Sequence, residues 1–441
     1  MSLALTASQP AGAISWPASL WRAGVPAGEH YRRLETDATV EVAIVGAGYT
    51  GLTCASSLAE RGIECAILDA AQPGYGASGR NGGMAVTRYK SGWASMHAAY
   101  GHDTAYKLYR LILAGVDLIE ALTQRHGLDN HFSRQGHLTP ASSARASQRL
   151  HDDVRLLNEV FHDSTVRMMD AAEVAQACGT GDYLDGYFDP RAAGIHPYLH
   201  ATGLARAVHA GGTPIYGDSP VLAISREGAS YLLHTPGGTL RARKLVYATN
   251  GYTDMFSIQR SLERRIVAVS SAVIATEPLP EALAQRILPD NVLVTDTRHL
   301  VNYFRKTPGG HLLFGGRGSL TGVEKPQTYH GLERRLVETF PELADHPIAF
   351  RWSGKVAVTL DDFPHIGAIG ENAWFALGYG GRGVVLSHVL GAALADCVTG
   401  APASLGPMSD NAFTEIPFHR FQVPGMNIVA SYYKLKDRLG V

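Results

Sequence analysis

The chain has 441 residues, of which 45% are hydrophobic and 18% charged, values typical of a globular protein. Its formal net charge is −1 and its arginines and lysines are scattered, so neither a nucleic acid nor an anionic membrane is indicated as a partner. Because the length exceeds what one hydrophobic core usually holds, two domains are expected.

Signals for export and for metal binding are missing from the sequence. Residues 1–10 lack the basic and apolar segments of a signal peptide, and no run of about 18 apolar residues occurs, so no transmembrane helix is predicted. A cytoplasmic protein is therefore expected. The cysteines have neither metal nor redox spacing and are interpreted as buried core residues in a reducing compartment; they are Cys54, Cys65, Cys178 and Cys397. No metal site is predicted.

In chain order, the elements begin with an arm and a strand–helix–strand unit. Residues 1–38 contain Trp16 and Trp21 among prolines and glycines and predict an extended N-terminal arm packed by its aromatic side chains. An apolar run from Val40 to Val45 stops at a glycine-rich turn, a helical pattern follows, and a second apolar run ends at Asp69.

Helical and extended patterns then follow, separated by turn-forming residues. Helices are predicted at 95–127, 143–160, 170–178, 199–210 and 388–398. Strands are predicted within 213–249, at 264–276, and as a hairpin of 300–305 and 311–315 joined at 308–310. The insert that follows the first unit is therefore predicted to be mainly helical.

The strand–helix–strand unit has the pattern of a dinucleotide-binding unit. Gly46 permits the tight turn, Gly48 lets main-chain N–H groups approach a pyrophosphate, and Gly51 lets the helix pack closely on the strand. The helix N-terminus offers N–H donors and partial positive charge to the phosphates. Asp69 would accept the ribose hydroxyls, and its carboxylate disfavours the 2′-phosphate of NADP. NAD and FAD both remain open on this pattern alone.

The following segments resemble a known family. Blocks that match its motifs lie in the expected order at 76–83 (Gly-Ala-Ser-Gly-Arg-Asn-Gly-Gly), 244–252, 362–367 and 378–387. These blocks resemble the D-amino-acid-oxidase-like family of FAD-dependent oxidoreductases. Within that family, the turn at Gly48–Leu52, the Trp352-x-Gly354 element and the tail at 416–421 are similar to those of gamma-glutamylputrescine oxidase-like amine oxidases.

The resemblance implies FAD and the residues that would hold it. The loop at 76–83 would run past the pyrophosphate to the flavin, Val221 would meet the adenine edge, and the glycine run near 380 would close over the pyrimidine end of the flavin. The cofactor-binding residues implied are Gly46, Gly48, Tyr49, Thr50, Gly51, Asp69, Ala70, Ser78, Gly79, Arg80, Asn81, Gly82, Gly83, Met84, Val221, Ala248, Thr249, Gly251, Gly380, Gly381, Arg382, Gly383 and Val384. Relatives that tether the flavin use a cysteine just before the C-terminal block; residues 355–359 contain none, so non-covalent FAD is expected.

The resemblance also implies the architecture. The expected fold is an α/β FAD-binding Rossmann-like domain, discontinuous in sequence, with a second α+β substrate domain whose sheet covers the flavin. The expected segments are 1–38 for the arm, 39–95, 186–262 and 352–405 for the FAD domain, 96–185 and 263–351 for the substrate domain, and 406–441 for the tail.

The implied activity is oxidation of an amine C–N bond. In flavin amine oxidation a hydride passes from the carbon next to nitrogen to flavin N5 and leaves an imine, so no protein nucleophile is required. A small-molecule amine is the expected substrate, with a gamma-glutamylputrescine-like amine favoured, and O2 is the expected acceptor, giving H2O2. The strand at 311–315 lacks the oxygen-assisting lysine of some relatives, so either Arg317 or a histidine serves in that role or electrons leave to an acceptor other than oxygen.

Alternative substrates and classes stay open in the sequence. The positions that bind a substrate carboxylate in amino-acid oxidases of the family carry no such group here, which leaves Arg88 as the carboxylate candidate and Arg382 as a charge near the flavin. The alternative activity is oxidation or dehydrogenation of a secondary or cyclic amino acid, such as sarcosine or L-pipecolate. A hypothesis from a different functional class is an NAD-dependent dehydrogenase or a flavin-binding protein without turnover.

Overall fold

The computed structural model describes residues 14, 16–26, 28–318, 327–401, 403–419, 432–433 and 436–437. The segment examined for a signal peptide, 1–10, lies outside the described residues, as do the last two residues of the tail motif at 416–421.

The helices follow the predicted order. They are α1 (Tyr49–Ala59), α2 (Trp93–Arg125), α3 (Ala144–Glu159), α4 (Ala171–Cys178), α5 (Pro197–Ala210), α6 (Arg260–Glu263), α7 (Glu281–Ala284), α8 (Gln327–Thr339), α9 (Gly383–Val398) and α10 (Pro407–Asp410). Short 3-10 turns occur at Ala77–Gly79, Asn250–Tyr252 and Pro341–Leu343. Helix α2 is interrupted at Gly101, whose φ is 78°.

The strands form two large sheets and one small sheet. They are β1 (Ala38–Val45), β2 (Cys65–Leu68), β3 (Met84–Ala85), β4 (Ser133–Arg134), β5 (His137–Pro140), β6 (Arg167–Met169), β7 (Gly186–Asp189), β8 (Ala193–Gly194), β9 (Ile215–Tyr216), β10 (Ala223–Glu227), β11 (Ser230–His234), β12 (Thr239–Tyr247), β13 (Val267–Pro278), β14 (Leu293–Thr295), β15 (Tyr303–Lys306), β16 (His311–Arg317), β17 (Ile348–Val358), β18 (His365–Ala368) and β19 (Ala373–Leu377).

The first large sheet contains the glycine-turn unit. Its order is β10-β11-β12-β1-β2-β9, with β19 beside β12 and β18 beside β19. Strand β1 lies parallel between β12 and β2, which places Val45 beside Tyr247 and Leu68. Helices α1, α5 and α9 pack on one face, and strand residues of the other face form a second cluster. Burial on both faces explains why β1 reads as a continuous apolar run.

The second large sheet has the order β17-β13-β16-β15-β14-β5-β7-β6. Its pairs are antiparallel except β14 with β5. The outer face packs Ile274 and Phe314 against Leu336 of α8. The inner face places Val273 and Trp352 against Trp21 of the N-terminal arm. This sheet therefore lies against the loop that follows β2 and against the arm.

The predicted fold class is confirmed: a Rossmann-like α/β domain, assembled from separate segments, accompanies a second α+β domain. At two of the expected domain boundaries, the strand assigned to the FAD domain pairs within the other sheet. Strand β7 begins at the expected start of an FAD segment, and 352 falls inside β17, yet both strands pair within the second sheet. The insert at 96–185 also contributes β5 and β6 to that sheet, so it is less purely helical than predicted.

Helix α9 starts five residues earlier than predicted, at Gly383 rather than 388. The glycine run ends with Gly380 and Gly381, whose φ values of 57° and 90° place them outside helical geometry. The helix begins directly after Arg382, so its first turn lies before residue 388, in the segment for which the sequence predicts a loop. Among the described residues, no helix combines the length and apolar character needed to cross a membrane.

Candidate active site

The glycine turn after β1 brings main chain and helix α1 unusually close. Gly46 has φ 110°, and a Cβ there would lie 2.8 Å from the carbonyl oxygen of Ala248. A Cβ on Gly51 would lie 2.0 Å from the carbonyl oxygen of Gly46, so α1 can pack this closely only with glycine. The helix starts at Tyr49 without a side-chain cap from Gly48; Ser78 takes the Tyr49 N–H, and the next N–H groups of the first turn are left for a ligand.

Asp69 lies beside this turn at the carboxyl end of β2. Its carboxylate accepts N–H groups from Ala47 at 2.6 Å and from Ala71 at 2.9 Å. Burial raises the pKa of Asp69 despite these two bonds. Ala70 follows at a partly exposed position, and Ser219, two residues before Val221, donates its N–H to the Asp69 carbonyl. Val221 follows two residues later and is buried.

The loop at 76–83 is held to the start of α1 and to itself. Ser78 Oγ accepts the Tyr49 N–H at 3.0 Å, and a Cβ on Gly48 would meet the same oxygen at 3.0 Å. Asn81 donates to the carbonyls of Ala77 and Ser78 at 3.0 and 3.1 Å and accepts the N–H of Gly83 at 2.8 Å. The amide side chain is thus used to shape the loop.

Arg80 and the glycines of this loop pack against the second domain. The Arg80 guanidinium donates to the carbonyls of Tyr75 and Ser353, and the Trp352 indole N–H donates to the Arg80 carbonyl at 2.8 Å. Gly79 is equally crowded, with an added Cβ 2.0 Å from the Gly74 carbonyl oxygen. The loop therefore bridges the two domains.

Three further glycine or small-residue positions implied for FAD lie around the same turn. Ala248 donates its N–H to the Val45 carbonyl, and a Cβ on Gly251 would lie 3.0 Å from the Lys355 carbonyl oxygen. The hydroxyl of Thr249 is bonded to that of Thr253 at 2.7 Å. The first sheet, its glycine turn and β17 thus meet at one edge.

The inner face of the second sheet presents polar side chains to this region. Register pairs Tyr303 with Gly315 and Arg317 with Ser271, and the Tyr303 hydroxyl is 3.3 Å from Ser271 Oγ. A Cβ on Gly82 would lie 2.9 Å from the Tyr303 ring, which places this ring against the cofactor loop. The same face carries His137 on β5. None of Tyr303, Ser271 and His137 was singled out from the sequence, because only strand register across distant segments aligns them.

Arg382, Arg88 and His137 lie near one another. Arg382 precedes α9 and, within the described part of the chain, has no carboxylate within ion-pair distance; burial, reinforced by Arg88, lowers its pKa to about 10. Burial, together with these two arginines, keeps the pKa of His137 well below its usual range, so the imidazole is neutral. Its Nε2 has no hydrogen-bond partner among the described residues.

Arg88 differs from Arg382 because it has a counter-ion. Its guanidinium is 2.7 Å from the Asp153 carboxylate, with both side chains buried, and lies 4.2 Å above the Tyr187 ring. Burial lowers the pKa of Arg88, but Asp153 and Tyr187 together more than offset this, and the net direction of the pKa shift is upward. Its buried Nη1 has no hydrogen-bond partner within the described ranges. A substrate carboxylate would therefore meet a guanidinium that is already half engaged.

The residues fit FAD. The uncapped start of α1, the glycine turn and Asp69 supply the donor and acceptor set that a pyrophosphate and ribose require. The four cysteines are free and buried, and none lies in β17, where relatives place a tether. FAD is accordingly the cofactor, and it is held non-covalently. Among the described residues, no cluster of three or more metal-ligating side chains is placed to hold an ion.

Comparison with known proteins gives the family. A model of the DAO family, described as FAD dependent oxidoreductase, matches residues 41–397. Gamma-glutamylputrescine oxidoreductase of Escherichia coli (strain K12) is 31% identical over 415 residues, covering 92% of this chain and 95% of the relative. Glycine oxidase of Bacillus subtilis (strain 168) is 23% identical over 81% of this chain and 92% of the relative.

A solved structure shows the same fold. The crystal structure of glycine oxidase from Geobacillus kaustophilus superposes with a TM-score of 0.70 at 22% identity, covering 84% of this chain and 98% of that one. The family match and the similarity to amine- and amino-acid-oxidising relatives make this an FAD-dependent oxidoreductase of amines or amino acids. The chain belongs to the DAO family of FAD-dependent oxidoreductases.

Proposed function

We propose that the protein oxidises the C–N bond of an amine that also carries a carboxylate, with a gamma-glutamylputrescine-like amine as the favoured substrate and O2 as the acceptor. The observation that carries the substrate proposal is the 31% identity to the E. coli gamma-glutamylputrescine oxidoreductase over 92% of this chain and 95% of that one. Bound FAD supplies the hydride acceptor, and the products are an imine, which hydrolyses to aldehyde and amine, and H2O2.

The charges of the site support an unprotonated amine. Hydride leaves the carbon next to nitrogen only when the nitrogen lone pair is free, so the ammonium must lose its proton. Arg382 has no carboxylate partner among the described residues and stands at the N-terminus of α9, which adds partial positive charge. A positive environment lowers the pKa of a bound ammonium.

The same charge supports binding of a carboxylate. A guanidinium that has lost part of its hydration and lacks a counter-ion gains most from a carboxylate ligand. By this argument Arg382 is the first carboxylate-binding candidate, and Arg88, held by Asp153, is the second. Arg317, which burial gives a lowered pKa, lies on the inner face opposite Ser271 and remains our candidate for assisting O2.

A secondary or cyclic amino acid is the second candidate substrate, supported by the closeness of Arg382, Arg88 and His137. In an amino acid the carboxylate adjoins the reacting carbon, so losing its partner misplaces the C–H bond and lowers kcat as well as raising KM. In gamma-glutamylputrescine the carboxylate is distant, so the same loss raises chiefly KM. The kcat and KM values of Arg382→Gln and Arg88→Gln, measured with both types of substrate, separate the two candidate substrates.

The test is an anaerobic spectrum of the flavin with gamma-glutamylputrescine, putrescine, sarcosine and L-pipecolate. The proposal expects bleaching by gamma-glutamylputrescine, slower bleaching by putrescine, and recovery with H2O2 when air is admitted. Bleaching by sarcosine or L-pipecolate alone would favour the second candidate. Bleaching without recovery in air would replace the oxidase by a dehydrogenase, and protein without flavin would contradict both.

A further inference from the structure

Arg305 is a buried cation at the junction of the two domains. It lies on β15 two residues after Tyr303, on the same inner face of the sheet, and is 1% exposed. Its Nη1 donates to the carbonyl oxygens of Gly83 at 2.5 Å and Ile195 at 3.1 Å, and its Nε donates to the carbonyl of Lys306 at 3.2 Å. The guanidinium therefore ties the end of the cofactor loop to the second sheet.

The charge of Arg305 is not neutralised by the protein. Every bond its guanidinium makes to the described residues goes to a main-chain carbonyl, and no carboxylate there lies within ion-pair distance. Burial alone lowers its pKa to about 10, which still leaves it charged near neutral pH. Placing a lone charge in the interior is costly, and proteins ordinarily pair it.

Other arginines that are wholly or partly withdrawn from solvent show what is missing. Arg88 has Asp153 at 2.7 Å, Arg191 has Asp189 at 2.8 Å, and Arg298 has Asp296 at 2.6 Å. Arg80 and Arg305 are both buried, yet both donate only to carbonyls; Arg80 belongs to the loop at 76–83 and Arg305 contacts it. These two uncompensated charges lie at the loop assigned to the cofactor, where an anionic ligand would pair with them.

We propose that Arg305 is a positioning residue that holds Gly83 against the second sheet, and that its charge stabilises the bound flavin in its reduced, negatively charged state. Ser78, near the start of the loop, meets the N-terminus of α1, where a pyrophosphate would bind, and Gly83 is the opposite end of the loop, which by the family resemblance would lie toward the flavin ring. A charge fixed at Gly83 by the second large sheet would therefore act on the flavin ring rather than on the phosphates. The proposal depends on FAD and not on the amine, so its failure is distinguishable from failure of the proposed function.

Two variants separate the charge from the hydrogen bonds. Arg305→Gln keeps an N–H donor for the Gly83 carbonyl and removes the charge, whereas Arg305→Lys keeps the charge and loses the fork of donors. Lys306→Met is the matched control, because it removes one positive charge from the next residue of the same strand, which points to the Ala284 carbonyl on the other face. FAD content, FAD Kd, sulfite Kd and flavin midpoint potential would be measured for all three.

We expect Arg305→Gln to weaken the preference for reduced over oxidised flavin about tenfold, which lowers the two-electron potential by about 30 mV. Sulfite affinity should fall by a similar factor, since its adduct also places negative charge on the ring. Arg305→Lys should keep the wild-type potential while binding FAD more weakly, and Lys306→Met should change neither. Equal potentials in Arg305→Gln and Lys306→Met would overturn the charge role. Should Arg305→Gln not fold, a lowered potential in Arg305→Lys would overturn it as well.

Discussion

Gly51 and Gly48 differ in what a side chain would meet, and this gives a graded prediction. A Cβ at Gly51 lies 2.0 Å from a main-chain carbonyl oxygen, which cannot move without opening the turn, whereas a Cβ at Gly48 meets only Ser78 Oγ at 3.0 Å. We expect Gly51→Ala to purify without flavin and to lose about 3 kcal/mol of the free energy of unfolding. Gly48→Ala should bind FAD about tenfold more weakly.

The readouts are the flavin-to-protein absorbance ratio and chemical unfolding of the apoprotein. Gly331→Ala is the control, because it lies in α8 where an added Cβ meets nothing within 4 Å. The control should gain about 0.5–1 kcal/mol, as alanine usually does in a helix. Full flavin content in Gly51→Ala would refute the assignment of the turn to the phosphates.

Arg382 gives a pH prediction with a definite sign. Its positive charge favours the neutral amine, so Arg382→Gln should raise the pKa of the bound ammonium by about one unit. In a plot of the flavin reduction rate at saturating substrate against pH, the fall on the acid side should then move to higher pH. That part of the profile reports the pKa of the ammonium in the enzyme–substrate complex. Arg382→Lys, which keeps the charge, should retain the wild-type profile. A profile that stays in place in Arg382→Gln would show that another group sets the protonation of the amine.

At the residue scale, the glycine turn and Asp69 could be predicted because their chemistry lies within one contiguous strand–helix–strand unit. His137, Tyr303 and Arg305 could not, because they become neighbours of the site only through strand pairing between β5, β14 and β15. The one available signal was alternation in the predicted hairpin, which puts Tyr303 and Arg305 on the same face. Counter-ions such as Asp153 for Arg88 likewise depend on contacts between segments far apart in sequence.

At the element scale, helix positions could be predicted better than their starts. The glycine run before α9 conceals the helix start because Gly383 is already helical while Gly381 is not. For α5 the signal was present: Pro197 occupies the first turn and His196 caps it by accepting the Leu199 N–H. Strand β17 was divided by the expected boundary at 352 because its pattern runs without interruption from one expected domain segment into the next.

A buried histidine pair joins helices α5 and α9 and makes stability pH-dependent. Asn130 donates to His200 Nδ1, His200 and His388 Nε2 atoms are 2.9 Å apart, and His388 Nδ1 bonds to the Val384 carbonyl at 2.6 Å. Because an amide nitrogen only donates and a carbonyl only accepts, His200 must donate to His388, and neither ring has a site for a second proton. Burial lowers the pKa of His388 to about 4 and that of His200 well below its usual range.

In the unfolded chain these histidines bind protons near pH 6.5, whereas in the folded protein they stay neutral. Their contribution to the free energy of unfolding is therefore fully present above pH 6.5 and is lost as the pH falls toward the folded pKa values. Each buried neutral histidine should contribute a slope of about 1.4 kcal/mol per pH unit below pH 6.5. His388→Leu should lose about 1–3 kcal/mol at pH 8 and show a shallower slope between pH 6.5 and 4.5. The exposed His330→Gln serves as the control, and an unchanged slope in His388→Leu would contradict the neutral pair.

At the scale of the whole molecule, the loop at 76–83 is where three parts of the chain meet. The N-terminal arm reaches it through Trp21, whose indole N–H donates to the Asn81 carbonyl at 2.7 Å. The second sheet reaches it through Trp352 and Arg305, and helix α1 through the Tyr49 N–H. Since the arm, the sheet and the glycine-turn domain all hold this loop, we infer that FAD affinity depends on their joint packing.

Trp21 tests this coupling because it belongs to the arm. Its ring is 1% exposed and packs edge-on against His196 at 4.9 Å and Trp352 at 6.5 Å. Trp21→Ala should cost about 3–5 kcal/mol of stability and raise the FAD Kd more than about tenfold, because the Asn81 end of the loop loses both packing and a hydrogen bond. Trp21→Phe keeps most of the packing and should lose about 1 kcal/mol. Fluorescence titration of the apoprotein with FAD, combined with unfolding curves at several FAD concentrations, separates the two effects. If Trp21→Ala lowers the free energy of unfolding but binds FAD as the wild type does, the arm stabilises the fold without shaping the cofactor site.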